Sequence, residues 1–182
     1  MAGFSDDLVA AAQDGDRDAL RTVYEVLAPK VLGYLRAKGV RDPEAVTNDV
    51  FLALLTHMDR VKGGAEGLRK LAFTIAHARM VDDYRSRSRQ PGAVSYDPAD
   101  DTRTVPSAED DADHVLAAAR VRAVLAVLPE DQREVLTLRV VADLSIEQIA
   151  AVMGRSQGAV KQLQRRGMIA VRQALADRHV TL

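Results

Sequence analysis

The chain has 182 residues, of which 47% are hydrophobic and only 4% aromatic, and it contains neither Trp nor Cys. This length suits one ordinary domain or two small ones, and the scarcity of aromatics favours helical domains over β-sandwiches. The absence of Cys excludes disulfides and thiolate metal sites. Because the sequence has no apolar run of about eighteen residues and no signal-peptide-like start, we expect a cytoplasmic protein without a membrane span.

The formal net charge of −1 conceals an uneven distribution. Residues 1–90 carry a net +1, residues 91–113 a net −6 and residues 114–182 a net +4. The middle segment combines seven acids with three prolines and has no apolar period. It cannot bury enough apolar surface to offset its ordering entropy, so the sequence predicts a flexible acidic linker between two domains.

The N-terminal block predicts several helices in chain order. Apolar residues at helical spacing over residues 20–35 predict a long helix, which Pro29 should kink or interrupt. Asp42 and Pro43 are typical of the N-cap and first position of the next helix. A double glycine then precedes a helix that begins near Leu68 and ends in the basic residues 85–89.

This last helix presents two faces. The predicted core stripe comprises Leu68, Leu71, Ala72 and Ile75, with Asp82 on the same side as a buried partner of Arg79 or Arg85. The opposite face carries Phe73, His77, Met80 and Tyr84, followed by arginines. Aromatic rings beside cations suit single-stranded DNA, whose bases stack on rings. The alternative is that Phe73 and Met80 pack against a neighbouring helix while His77 and Tyr84 are solvated.

The C-terminal block predicts helices over residues 114–127, 130–141, 145–153 and 156–176, and no segment of the chain supports a strand. Ser145 and Gln148 form a capping-box pattern, Gly154 suits a turn with positive φ, and Ser156 can cap the last helix. A short helix, a glycine turn and a second helix make the helix-turn-helix pattern. The sequence therefore predicts an all-α protein of two small domains.

The second helix of this pattern has a polar face suited to duplex DNA, because amides and guanidinium groups read base edges while cations hold phosphates. Val160, Leu163, Gly167 and Val171 share the inward face. The candidate upstream-DNA contacts are Arg155, Gln157, Lys161, Gln162, Arg165 and Arg166. The alternative is a solvated basic helix of a small bundle.

Several motifs together resemble extracytoplasmic-function (ECF) sigma factors. LPEDQREVLTLR at residues 128–139, the helix-turn-helix and GAVK at 158–161 resemble that family's C-terminal domain. DGD at 14–16, NDVFL at 48–52, and Ile75-Ala76 followed by Asp82 and Arg85 resemble its N-terminal sigma-two domain. The resemblance covers nearly the whole chain, in order, with a linker where the family has one.

The resemblance implies a division of labour between the domains. Residues 1–90 would bind core RNA polymerase and the melted minus-ten element, residues 91–113 would be the linker, and residues 114–182 would read the minus-thirty-five element. The polymerase contacts would be Asn48, Asp49, Phe51 and Leu52, and the melted-DNA contacts would be Phe73, His77, Tyr84, Arg85, Arg87 and Arg89. Because a free sigma factor must not occupy DNA alone, we expect the two domains to pack together or to be held by an anti-sigma partner.

The sequence departs from the family pattern at four positions. Ala45 and Asn48 replace an acidic residue and a Gln in the segment that grips polymerase, while Leu71 and Ala78 replace a Trp and an Asn. These departures bear first on polymerase affinity. A sigma-like decoy that sequesters polymerase or a regulator is therefore one alternative, and a stand-alone helix-turn-helix regulator is another.

No pattern indicates catalysis or a cofactor. The four histidines, at positions 57, 77, 114 and 179, lack metal-ligand spacing. The paired acids at 82–83 and 110–111 would point about 100° apart on a helix and cannot converge on one ion. With no nucleotide loop or nucleophile motif either, we expect a binding protein that is not an enzyme.

Overall fold

The computed structural model describes residues 4–88 and 123–179, and these residues form helices and turns with no strand. Residues 123–126 are helical and precede the first complete helix of the C-terminal half. The complete elements are α1 (Asp6–Gln13), α2 (Arg17–Ala37), α3 (Pro43–Thr56), a 3₁₀ turn (Met58–Arg60), α4 (Gly64–Ser88), α5 (Glu130–Val140), α6 (Ile146–Met153) and α7 (Gln157–His179). The all-α prediction is confirmed, whereas the acidic linker and the predicted helix 114–127 fall wholly or mainly outside the described residues.

Side-chain caps fix where several helices begin. Asp16 accepts hydrogen bonds from the backbone N–H groups at the start of α2. Asp42 accepts from Ala45 N, with Pro43 as the first residue of α3, as predicted. These carboxylates satisfy amide groups that have no partner within the helix. The starts of α2 and α3 are therefore specified locally.

Pro29 does not interrupt α2, which runs continuously from Arg17 to Ala37. The sequence predicts either a kink or an interruption at Pro29, and the interruption is wrong. Pro29 is exposed, so the carbonyl deprived of its helical donor can be hydrated. The opposite side of α2 buries Val23, Leu27, Val31 and Leu35, and this apolar burial outweighs the local cost of proline.

The core face of α4 is wider than the sequence stripe suggested. Leu68, Ala72, Phe73 and Ala76 are fully buried, and Met80 is nearly so. Phe73 therefore belongs to the core, where it packs edge-to-face against Tyr34 at 5.7 Å between ring centroids. Asp82 is exposed and pairs with Arg85 at 3.8 Å, so the expectation that Asp82 is buried is wrong.

We call residues 4–88 the N-terminal half and residues 123–179 the C-terminal half. The two halves pack against each other, with α2 and α4 of the first against α5 and α6 of the second. Their buried apolar residues form a single cluster that includes Leu138, Leu144 and Ile149 of the C-terminal half. At Gly33 of α2 an added Cβ would lie 3.7 Å from Val141 Cγ1. We call this packing of the two halves the closed arrangement.

Candidate nucleic-acid and polymerase interface

The helix-turn-helix is built as the sequence predicts. Ser145 Oγ accepts from Gln148 N while the Gln148 side chain accepts from Ser145 N, which completes a capping box at the start of α6. Gly154 ends α6 in the left-handed conformation, with φ 62° and ψ 33°. Ser156 Oγ then accepts from Ala159 N at the start of α7. These local contacts fix the angle at which α7 leaves the turn.

The candidate upstream-DNA residues share an exposed surface. Val160 is fully buried, and Gly167 faces α5, where an added Cβ would lie 3.0 Å from Leu136 Cδ1. The side of α7 away from these residues is exposed. The candidates on this surface are Arg155, in the turn before α7, and Gln157, Lys161, Gln162, Arg165 and Arg166 of α7 itself. Arg155 forms an ion pair with Asp131 of α5, with 2.7 Å between Nη2 and Oδ2. The polar groups of the other five candidates are therefore more directly available to DNA.

The candidate melted-DNA residues of α4 do not form one exposed face. Phe73 is buried, as described above, so its ring is not available to a base in this arrangement. His77 Nδ1 lies 3.0 Å from Glu134 Oε1 of the C-terminal half. Tyr84 is half-buried and donates its hydroxyl to the backbone carbonyl of Lys38.

Of the candidate arginines near the end of α4, Arg87 contacts Tyr84. The Arg87 guanidinium lies 4.6 Å from the centre of the Tyr84 ring and pairs with Asp83 at 2.9 Å. Arg85 is exposed beside Asp82. Arg89 lies outside the described residues. A cation on a half-exposed aromatic ring is a combination that suits a stacked base next to a phosphate.

The candidate polymerase residues of α3 divide between surface and core. Asn48, Asp49 and Leu52 are exposed, whereas Phe51 is buried and packs edge-to-face against Tyr24 at 4.7 Å. Phe51 therefore lies beneath the exposed surface of α3 and supports it by packing against Tyr24 of α2.

Two further exposed apolar side chains near this surface, Leu55 and Tyr24, lie outside the motif NDVFL. Leu55 lies one turn beyond Leu52, and both are about half exposed or more, as is Tyr24. The sequence predicts Leu55 in the apolar stripe of this helix, because it lies four residues after Phe51, and its exposure is therefore a finding of the structure.

A buried polar cluster that no sequence motif indicates joins the two halves. Lys38 Nζ lies 2.7 Å from Glu134 Oε2, and both side chains are almost fully buried. Tyr34 Oη donates to Glu134 Oε1 at 2.6 Å. His77 contacts the same oxygen and is assigned the Nδ1–H tautomer because the carboxylate can only accept.

The electrostatics of Glu134 and Tyr34 follow from this geometry. Burial disfavours the ionised form of Glu134, but the contacts from His77, Lys38 and Tyr34 outweigh burial and hold the pKa of Glu134 below its usual value. Burial and the neighbouring Glu134 carboxylate together raise the pKa of Tyr34 well above its usual value. The cluster therefore contains an anionic Glu134 and a neutral phenol near neutral pH.

A second polar contact between the halves lies along α4. Arg69 Nη1 is 3.7 Å from Asp143 Oδ2 and 3.4 Å from the Asp143 carbonyl oxygen. Asp143 adopts φ 54°, a left-handed conformation that Asp tolerates better than most residues. Gln148 of α6 also donates to the Glu66 carbonyl at 3.2 Å. The C-terminal half thus meets α4 over several turns.

Within residues 4–88 and 123–179, no group of three or more His, Asp or Glu side chains is arranged to hold a metal ion. Over the same ranges, no helix has the length and apolar character needed to cross a bilayer.

Comparisons with known proteins agree with this architecture. A family profile described as Sigma-70, region 4, matches residues 124–173, which include the helix-turn-helix. The solved structure of CnrH in complex with the cytosolic domain of CnrY covers 95% of this chain and 97% of that one, with a TM-score of 0.66 and 24% identity. That likeness concerns the fold.

Curated relatives extend the match over most of the chain. The ECF RNA polymerase sigma factor SigD of Mycobacterium tuberculosis is 33% identical over 169 residues, covering 90% of this chain and 80% of that protein. The ECF RNA polymerase sigma factor ShbA of Streptomyces griseus is 32% identical over 184 residues, covering 93% and 94%. With this degree of identity across both halves, the chain belongs to the ECF family of RNA polymerase sigma factors.

Proposed function

We propose that the protein is a dissociable subunit that binds core RNA polymerase in the cytoplasm, directs it to promoters and acts by binding without catalysis. The observation that carries the proposal is the exposed polar and cationic face of α7 on a fully capped helix-turn-helix. Amide and guanidinium groups on such a face can read base edges in a major groove. Residues 114–182 would accordingly read the upstream promoter element.

Residues 1–90 would bind polymerase and the melted element. The exposed Leu52, Leu55 and Tyr24 form an apolar surface on α2 and α3 that suits a protein partner. Asn48 and Asp49 flank it with exposed polar groups. Tyr84 with Arg87 would hold an unstacked base and its phosphate. Residues 91–113 would be the linker between the two DNA-binding halves.

An anti-sigma partner would keep the protein from polymerase until it is needed. The CnrH structure contains the cytosolic domain of CnrY, and a partner of that kind is our proposal for this chain. Met168 and Ile169 expose apolar surface on α7, which an amphipathic partner helix could cover.

Run-off transcription tests the proposal. Core polymerase is incubated with and without the protein on promoters selected from a genomic library, and we expect discrete transcripts only when the protein is present. If the protein binds polymerase but lowers transcription from every template, it is a sequestering decoy. If it binds palindromic duplex DNA as a dimer without polymerase, it is a stand-alone regulator.

A further inference from the structure

The buried cluster at the junction of the two halves has the construction of an anion-binding site. Tyr34 of α2, Lys38 directly after α2 and His77 of α4 all belong to the N-terminal half, and they direct three donors to a single carboxylate. We call these three side chains the anion cradle. Its occupant, Glu134, comes from the C-terminal half. If the halves separate, the cradle loses the buried Glu134 and also the exposed Glu130, which lies 3.6 Å from Lys38 Nζ and belongs to the same half as Glu134.

The charges across the junction have one polarity. Lys38 pairs with Glu134 and Glu130, and Arg69 pairs with Asp143. In each pair the cation belongs to the N-terminal half and the acid to the C-terminal half. The surface that α2 and α4 would expose on separation is therefore cationic, and the surface that covers it is anionic. A nucleic-acid backbone has the charge that this cationic surface requires.

The anion cradle is also continuous with the proposed melted-DNA residues. The Lys38 carbonyl accepts a hydrogen bond from Tyr84, and Arg87 lies over the Tyr84 ring. A strand that stacks a base near Tyr84 would therefore bring its phosphates towards Lys38. In the described structure the exposed α3 residues Asn48, Asp49 and Leu52 take no part in the hydrogen bonds and ion pair of the cradle, which favours nucleic acid over a carboxylate of polymerase as the second ligand.

We propose that Lys38, Tyr34 and His77 form a phosphate-binding site for the melted DNA strand, and that Glu134 occupies this site in the closed arrangement. Glu134 is thus a competitor supplied by the protein itself. Closing and strand binding at the cradle exclude each other, because one set of donors cannot hold both anions. This inference rests on the proposed function and adds a specific ligand site and a means of controlling access to it.

The central experiment measures the affinity of the full-length protein for labelled single-stranded DNA of mixed sequence over a range of salt concentrations. Glu134→Gln weakens the internal competitor, so the apparent affinity should rise about fivefold or more, as the binding-competent fraction increases. Glu147→Gln is the matched control, because it removes one negative charge at an exposed position of the same half and should leave the affinity unchanged.

Lys38→Met is then compared in the Glu134→Gln background, where the internal competitor is weakened equally in both proteins. The loss of one phosphate contact should reduce the slope of log K against log salt by about 0.7 for a single strand. The same comparison on a methylphosphonate strand, which lacks backbone charge, should show no difference. Circular dichroism confirms that each variant is folded.

A reversible lock provides a second route that leaves the cradle residues intact. The chain has no Cys. Gly33→Cys with Val141→Cys is the pair chosen for a disulfide across the junction, because a Cβ added at position 33 would lie 3.7 Å from Val141 Cγ1. The oxidised protein should lose single-strand binding, and reduction should restore it.

Three outcomes would overturn the inference. They are unchanged single-strand affinity in Glu134→Gln, an unchanged salt slope in the Lys38→Met comparison, and a Lys38 effect confined to the binding of core polymerase. The last would assign the cradle to a polymerase carboxylate. Because run-off transcription by the unmodified protein is measured separately, failure of these comparisons is distinct from failure of the proposed function.

Discussion

Tyr84 contributes both to the packing of α4 and to the proposed DNA contact. Its hydroxyl donates to the Lys38 carbonyl while its ring remains half-exposed under Arg87. Burial is the main reason that its pKa is raised, and Glu130 and Glu134 add to the effect while Lys38 and Arg87 oppose it. The hydroxyl and the ring can be tested separately, because Tyr84→Phe removes the hydroxyl and keeps the ring.

Tyr84→Phe should cost about 1 kcal/mol of stability through the lost hydrogen bond and leave promoter melting near normal. Tyr84→Ala should also impair open-complex formation by about fivefold to hundredfold, the range for loss of one stacked base. Permanganate footprinting on a duplex promoter, with urea denaturation in parallel, measures both quantities. If Tyr84→Ala lowers stability but leaves melting intact, the residue serves only the fold.

Gly154 is the residue on which the helix-turn-helix angle depends. Its φ of 62° lies in the left-handed region, and nothing lies within 4 Å of an added Cβ. Gly154→Ala should therefore cost about 1–2 kcal/mol from the backbone alone, and Gly154→Asn should cost less. Gly158→Ala, at an open helical position in α7, should be neutral or stabilising by up to about 1 kcal/mol. Equal urea midpoints for the two alanine variants would contradict this account.

Among the helices, α7 allows the most specific prediction of contacts with DNA. Lys161 and Arg165 lie one turn apart on its exposed face. If both contact phosphates, Lys161→Ala combined with Arg165→Ala should weaken binding to an upstream-element duplex and lower the salt slope by about 0.9 for each lost contact. Fluorescence anisotropy at several salt concentrations measures both effects.

Arg172 supplies the control for this prediction. It is exposed on the same face of α7 but lies about 10 Å further along the helix from Arg165. Arg172→Ala should leave the salt slope within error of the unmodified protein. A loss equal to that of Lys161→Ala would indicate a uniformly basic helix without a defined recognition segment.

The elements that the sequence predicts best are those specified by neighbours in the chain. The bounds of α5, α6 and α7 agree with prediction to within a residue at their starts, because Pro129, Ser145 and Ser156 mark them locally. The errors at Pro29 and Asp82 have a different origin. Both depend on which side of a helix meets a neighbouring helix, and a helical wheel does not contain that information.

The anion cradle lies beyond any local pattern. Tyr34 and Glu134 are 100 positions apart, and His77 and Glu134 are 57 apart. Glu134 lies within the motif LPEDQREVLTLR at residues 128–139, which assigns it no role. Lys38 directly follows α2, and lysine is usually a surface residue. Only the docking of α5 on α2 and α4 buries the two charges together, where each requires the other.

At the scale of the whole molecule, the junction combines an apolar cluster with ion pairs of a single polarity. The apolar part favours closure under all conditions. The polar part depends on the charge of Glu134, which contacts Tyr34 of α2, Lys38 directly after α2 and His77 of α4. Glu130 of the same helix also pairs with Lys38. Closure should therefore respond to pH through Glu134.

The direction of that response follows from the lowered pKa of Glu134. Its ionised form is favoured by the closed arrangement relative to the ordinary value of 4.5. The stability that Glu134 contributes is therefore fully present above about pH 4.5 and is lost as the pH falls through the lowered pKa. Fluorescence energy transfer between labels on Glu25→Cys and Gln173→Cys, both exposed positions, should fall below pH 4.5 as the halves separate.

Glu134→Gln isolates this contribution from the general effect of acid. The other carboxylates are protonated in both proteins, so the difference in transfer efficiency between them reports Glu134 alone. The variant should be less closed at neutral pH, and the difference between the two proteins should vanish once the pH lies below the lowered pKa. A difference that persists unchanged to the lowest pH would mean that the glutamine alters packing rather than charge. The ion pair between Lys38 and Glu134 would then play no part in holding the halves together.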